Sequence, residues 1–324
     1  MHCELIVPGL FAEASGTRAP ALELLLARGR GAVHTGSGSL PVEAWLQAAF
    51  AVEGESLPAG ALSLAGAGGE PGPGCWARAD PVHLRLLRDR MIVVPAAAFA
   101  LSRAEADALV EALNRHFGER LALQALEPGR WCARLDLQPG FQASAPLDAA
   151  GRDVDLALRA GGEAGKRCAA LLNEAQMLLH AHPVNEAREA RGELPINSLR
   201  LWGAGRAPRS AQCRWQSVAA DDPAVRGAAR LAGARHRPLP GTATEWFDRL
   251  PENGRHLALL DASQVALAEL ERRWFAPLLG ALRAGRIGMV TLHVPDGAEE
   301  VSFETIRGDL RRFWRRAKPI EHYA

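Results

Sequence analysis

The 324 residues are 48% hydrophobic and 23% charged, with a formal net charge of +1. A chain of that size and apolar content can bury a sizeable core, which argues against disorder and for one large α/β domain or a core with a second lobe. The near-neutral balance argues against a polyelectrolyte partner, and no apolar run approaches the ~20 residues that a membrane helix needs.

In chain order, a strand is predicted over 5–7, helices over 19–28 and 42–52, and a flexible loop over 60–74, where LSLAGAGGEPGPG is rich in glycine and proline. A strand at 91–94 precedes a helix at 102–117, in which Ser102 and Glu105 form a capping box and Leu109, Val110, Leu113 and Phe117 line one face. A strand at 131–135, a second flexible stretch at 137–151 and a helix at 163–180 follow. Beyond them come strands at 199–202 and 257–260, a long helix at 263–282, a strand at 287–292 and a closing helix at 303–316. The alternation predicts an α/β fold. Cys3, Cys75, Cys132, Cys168 and Cys213 stand apart without a CxxC pair, and the amino end has no basic-then-apolar leader. Both features predict a reduced, cytoplasmic chain.

Position-restricting residues are densest in HPVNEAREARGELPINSLRLWGAG, residues 182–205. Pro183 ends the preceding helix, and a short charged turn of helix follows. Gly192 suits a helix end with positive φ, Pro195 stops the helix from resuming, and 196–202 alternates as a strand does before Gly203 and Gly205 close it.

HPVNEAREARG, PIN and WGAG resemble a segment of the archaeal-type cofactor-independent phosphoglycerate mutases, members of the alkaline phosphatase-like superfamily. TRAPALELLLARGRG at 17–31, CWARAD at 75–80, LSRAEADALVEALN at 101–114, HLALLDASQ at 256–264 and GMVTLHVPDG at 288–297 resemble further segments of that family, in the same order. The PGL opening, RADPVHL, HPVNEAREARG and the terminal FWRRAKPI bring the chain closer still to bacterial RpfE-type regulatory proteins. The resemblance implies an alkaline phosphatase-like core, with a central, mostly parallel sheet flanked by helices, at 1–74 and 152–324. A small inserted α+β lobe would occupy 75–151.

Enzymes of that superfamily hold two divalent metals in a cage of carboxylates and histidines, which neutralises phosphoryl oxygens and activates a serine or threonine nucleophile. The resemblance puts Pro8 where the first strand should end in a metal-binding Asp. LLDASQ keeps Asp261 but has Ser263 and Gln264 in place of Gly and His, and VTLHVPDG offers Leu292 and His293 in place of Asp-His. Asp261 and His293 are therefore the residual metal candidates, and Ser37 and Ser39 in GSGSLPVEAWL are the candidate nucleophiles if the chain is active. The alternative for Asp261 is a helix cap near Ser263, and for His293 an inherited histidine. His180 and His182 read as helix-end residues rather than ligands.

Asn185, Arg188 and Arg191 either grip an anionic group or satisfy local backbone and solvent; residues alone do not separate the two. The basic tail, with Arg311, Arg312, Arg315, Arg316 and Lys318 around Phe313 and Trp314, reads chiefly as a helix that buries its aromatics and solvates its arginines. A DNA-binding regulator acting through it is the less favoured alternative.

The leading expectation is a non-catalytic regulatory or ligand-binding protein with no cofactor, whose partner is a small anionic ligand or a protein rather than a membrane or nucleic acid. An active phosphoglycerate mutase or phosphatase with a reduced site, using Mn, Zn or Mg, is the alternative.

Overall fold

Strand β1 (His2–Ile6) sets the geometry of the first unit: alternate side chains leave opposite faces, so Cys3 and Leu5 enter the apolar core while Glu4 leaves the other side. The computed structural model describes residues 1–11, 16–35, 41–54, 56–87, 90–136, 162–251, 253–262, 265–296 and 299–323. The chain divides into two compact units, Met1–Val52 with Ser210–Ala324, and Glu53–Arg209.

The first unit is built on a seven-stranded sheet ordered β2 (Arg30–Thr35), β12 (Glu299–Ile306), β11 (Met289–Asp296), β1, β10 (Arg255–Leu259), β8 (Ser217–Ala219) and β9 (Arg235–Arg237). It is mostly parallel: β1 runs parallel to both β10 and β11, as β10 does to β8 and β8 to β9, whereas β12 is antiparallel to both its neighbours. Helices α1 (Pro20–Arg28), α8 (Ala243–Asp248) and α10 (Ala276–Ala284) contribute Leu22, Leu25, Trp246, Phe247 and Leu278 to the core that Cys3, Leu5 and Val7 enter. Burial of each large apolar side chain there stabilises the unit by about 1.5–3 kcal/mol. α2 (Pro41–Ala49) fulfils the prediction over 42–52, slightly shorter.

One prediction in this unit is modified and another fails, for identifiable reasons. The helix expected at 263–282 is continuous from Leu267 to Ala284 but not uniformly α: a short helix α9 (Leu267–Leu270) leads into a wider π turn at Glu271–Phe275 before α10 begins. Pro277 lacks the N–H that the regular ladder requires, and the wider turn absorbs the break. That turn carries Glu271 to the amino end of α1, where its carboxylate accepts hydrogen bonds from Ala21 N (2.7 Å) and Leu22 N (3.2 Å). Ala19, at the cap position, has no side chain able to do so.

The expected helix at 303–316 is absent, since residues 299–306 form β12 and only a single tight turn, Asp309–Arg311, follows. The alternation of EEVSFETI places Phe303 in the core and, with Val301, Thr305 and Ile306, suits a pleated surface better than a helix. Phe313 and Trp314 are not buried either, being 77% and 67% exposed.

The second unit carries an antiparallel sheet in which β3 (Cys75–Leu87) is central, flanked by β4 (Arg90–Pro95) and β6 (Arg130–Leu135), with β5 (Leu121–Glu127) beside β6. β7 (Ser198–Arg206) also pairs with β3. Helices α4 (Arg103–Phe117) and α5 (Gly162–His180) pack Leu109, Leu113, Phe117, Leu171 and Leu179 against Leu123, Trp131 and Leu201. The capping box of Ser102 and Glu105 is present as read from the sequence.

The sequence drew the inserted lobe at 75–151, whereas the compact unit extends over 53–209 because β7 hydrogen-bonds along β3 and because α5 shares the core of α4. The first part of the predicted loop at 60–74 is instead helix α3 (Ala59–Gly66), whose residues Ala59 to Leu64 are all buried, while 67–74 is turn and loop as expected. Gly60 there serves close packing rather than flexibility: a Cβ on it would overlap the backbone of Ala77 in β3. The second predicted flexible stretch, 137–151, lies outside the described residues.

Candidate functional site

At the carboxyl ends of the central parallel strands, the register brings together the positions from which a metal cage was expected. Ile6 of β1 lies between Leu259 of β10 and His293 of β11. Val7 N donates to His293 O (2.9 Å), Leu260 N to Ile6 O (2.9 Å) and Ala262 N to Pro8 O (3.2 Å). Pro8 and Asp261 lie two residues beyond the ends of β1 and β10, and His293 stands within β11 beside Ile6, near the place where open parallel sheets assemble ligand sites. Asp261 is half-buried and His293 is buried. Ser37, Ser39, Ser263 and Gln264 lie outside the described residues.

His293 faces two carboxylates. Its Nδ1 is 2.6 Å from Glu300 Oε1 and its Nε2 is 3.3 Å from Glu4 Oε2. Both carboxylates favour a protonated ring nitrogen facing them, while Arg214 Nη2, which can only donate, stands 3.5 Å from the same Nε2 and opposes it. Burial by itself would lower the His293 pKa, but the hydrogen bonds to Glu300 and Glu4 together outweigh it and hold the pKa above its ordinary value. Trp45 of α2 packs on the imidazole with ring centroids 5.2 Å apart.

Glu4, with no exposed surface, is the centre of this cluster. Arg214 Nη2 donates to its Oε2 (2.6 Å), Arg255 Nε donates to its Oε1 (2.8 Å), and His2 stands 3.7 Å away. Burial would raise the Glu4 carboxyl, yet the bonds from His293 and Arg255 and the charge of Arg214 hold it well below the usual carboxylate range. Arg214 also lies over the Trp215 ring, and Trp215 packs against both Trp45 and Phe50. The result is a charged network walled on one side by aromatics.

These donors do not fit a pair of divalent metals. Pro8 has no side-chain ligand atom, and both ring nitrogens of His293 are already engaged, Nδ1 by Glu300 and Nε2 by Glu4 and Arg214. Among the described residues, no group of three or more His, Cys, Asp or Glu side chains is placed to hold a metal ion.

Asn185, Arg188 and Arg191 belong to the second unit, on or just beyond α6 (Pro183–Ala190). Asn185 is buried, donates to Leu179 O and Ile196 O (2.7 Å each), and accepts from Ile196 N (2.8 Å). Arg188, also buried, donates to Leu194 O (2.8 Å) and pairs with Glu105 (3.2 Å). Arg191 bridges Glu105 and Glu193, at 2.8 Å to each. Glu105 is first penalised by burial, but Ser102 and these arginines outweigh that and bring its pKa down to about 2. Asn185 thus takes the local, backbone-satisfying alternative that the residues alone left open, whereas Arg188 is buried and ion-paired rather than solvated. His182 caps α6, its Nδ1 accepting from Val184 N (3.2 Å), and Gly192 adopts φ 73° as expected.

Glu4, Arg214, Arg255 and Glu300 were not singled out from the sequence. One signal was available: in HCELIV, His2 and Glu4 occupy one face of an otherwise apolar strand, and a charge in the middle of a buried parallel strand requires partners.

The chain is 30% identical over 138 residues to a "Probable 2,3-bisphosphoglycerate-independent phosphoglycerate mutase" of Geobacter sulfurreducens, a match covering 41% of this chain. It is 25% identical over 240 residues, 63% of its own length, to a 2,3-bisphosphoglycerate-independent phosphoglycerate mutase of Methanosarcina barkeri. Its sequence relatives are cofactor-independent phosphoglycerate mutases. The chain spans 34% of the first relative's length and 59% of the second's. No family model matches it. A solved protein of Pyrococcus horikoshii shares the fold, with a TM-score of 0.55 and 16% identity over 94% of this chain and 86% of that one. The α/β architecture, a central sheet flanked by helices, is therefore shared with that protein, and within it Pro8 follows β1 and His293 lies in the neighbouring β11.

Proposed function

We propose that this chain is a non-catalytic regulatory or ligand-binding protein built on a phosphoglycerate mutase-like fold, of the kind that its resemblance to RpfE-type regulatory proteins implies. One observation carries the reading: His293, a position inherited from the metal cage, is held between Glu4 and Glu300 by both ring nitrogens. A metal requires a ring nitrogen with a free lone pair, and the network engages both nitrogens with side chains and raises the pKa of the ring. Pro8 at the end of β1 adds to this, because a ligand there cannot be restored by a change of rotamer.

The test is elemental analysis of the purified chain for manganese, zinc and magnesium, combined with assays of phosphoglycerate mutase and phosphatase turnover. The expected result is substoichiometric metal and no turnover. Two metals per chain together with metal-dependent turnover would overturn the proposal in favour of a reduced but working site.

A further inference from the structure

Behind the tight turn Asp309–Arg311, the chain is pinned at two points three residues apart. Arg312 Nη1 donates to Arg28 O (3.2 Å) and Arg315 Nη1 donates to Gly29 O (2.8 Å), while Arg28 reaches back to Leu310 O. Arg312 is itself braced by Asp309 at 2.8 Å. Both anchors sit on the last carbonyls of α1 and the residue after it, where a cation is favoured by the helix dipole. The two residues between the anchors, Phe313 and Trp314, project outward as one unit, edge to face with centroids 5.3 Å apart. Arg311, Arg316 and Lys318, close to them in the chain, and Arg30, next to the Gly29 anchor, are exposed as well.

Two large exposed aromatic rings flanked along the chain by exposed cations match the chemistry of an anionic lipid interface. The rings enter the headgroup boundary and the cations meet the anionic headgroups. Stacking of a single-stranded nucleic acid suits the pair less well: the ring planes are 82° apart, so the two rings do not offer parallel platforms to successive bases. We propose that the Phe313–Trp314 tip and its surrounding basic residues form a peripheral docking site for an anionic membrane surface. This goes beyond the sequence expectation of no membrane partner, which rested on the lack of a spanning segment; no helix among the described residues is long and apolar enough to cross a membrane.

The test is co-sedimentation of the full chain with vesicles of phosphatidylcholine alone, or with phosphatidylserine at about one lipid in three. Binding to the mixed vesicles at low salt, little binding to phosphatidylcholine alone, and roughly five-fold weakening for each of Arg311→Ala, Arg316→Ala and Lys318→Ala are expected. The double variant Phe313→Ser, Trp314→Ser should lose about ten-fold or more of the binding with unchanged circular dichroism and melting, since both rings are exposed. Failure to sediment with either vesicle, equal binding to both, or full binding by the double variant would overturn the proposal. So would a single-stranded oligonucleotide that binds through the two rings when vesicles do not.

Discussion

Glu4 Oε2 and His293 Nε2 lie 3.3 Å apart although 289 positions separate them in the chain. The contact exists because β1 and β11 run parallel with Glu4 beside Thr291 and Ile6 beside His293, which puts both side chains on the same face of the sheet. Around it the network joins β10 through Arg255, β12 through Glu300 and the segment before β8 through Arg214.

Glu4→Gln should destabilise the chain by about 3 kcal/mol in urea unfolding, because the variant keeps the shape of the buried side chain and removes the charge that His293, Arg214 and Arg255 share. Arg214→Ala should cost only about 1 kcal/mol, since its side chain is 49% exposed and water screens what remains. A Glu4→Gln cost below that of Arg214→Ala would show that the network is not centred on the buried carboxylate.

The network also sets a pH dependence with two limbs. The Glu4 pKa is depressed in the folded chain, so its contribution is present above the ordinary glutamate value of about 4.3 and is lost as the pH falls toward the folded value. The His293 pKa is raised, so its contribution is present below about 6.5 and is lost as the pH climbs through the folded value. Stability measured by urea midpoint should therefore be greatest between those limits. Glu300→Gln should bring the His293 titration, followed by NMR of its ring protons, to lower pH; an unshifted titration would remove Glu300 as the cause.

Asn185→Ala should destabilise the unit of residues 53–209 by about 2–3 kcal/mol, because the backbone N–H and C=O of Ile196 and the carbonyl of Leu179 all lose their side-chain partner inside the protein. Hydrogen exchange at Ile196 should accelerate accordingly. Unchanged protection there would mean that the junction is held by something other than this amide.

Gly60→Ala adds one methyl to helix α3 and should nevertheless cost about 1–3 kcal/mol or more, since that methyl overlaps the Ala77 backbone of β3. A neighbouring change on an open face, Gly68→Ala, is a useful contrast: it meets no atom, and any cost comes from its φ of 93°. Thermal melts of the two variants separate the packing cause from the conformational one.

Local determinants were legible in the amino-acid order. The capping box of Ser102 and Glu105, the helix stop before Pro183 and the positive φ of Gly192 all depend on residues a few positions apart. The resemblance in motif order implied the mostly parallel sheet and the neighbouring places of Pro8 and His293 as well. Tertiary structure alone decided which partners a buried charge would find, and those of Glu4 stand 210, 251 and 289 residues away. It also decided that 299–306 would complete a sheet instead of starting a helix, and that β7 would pair with β3 and enlarge the second unit. The physical reason is common to these cases. A turn or cap closes its hydrogen bonds within its own segment, whereas a strand edge or a buried carboxylate is stabilised only by groups that folding brings from elsewhere in the chain.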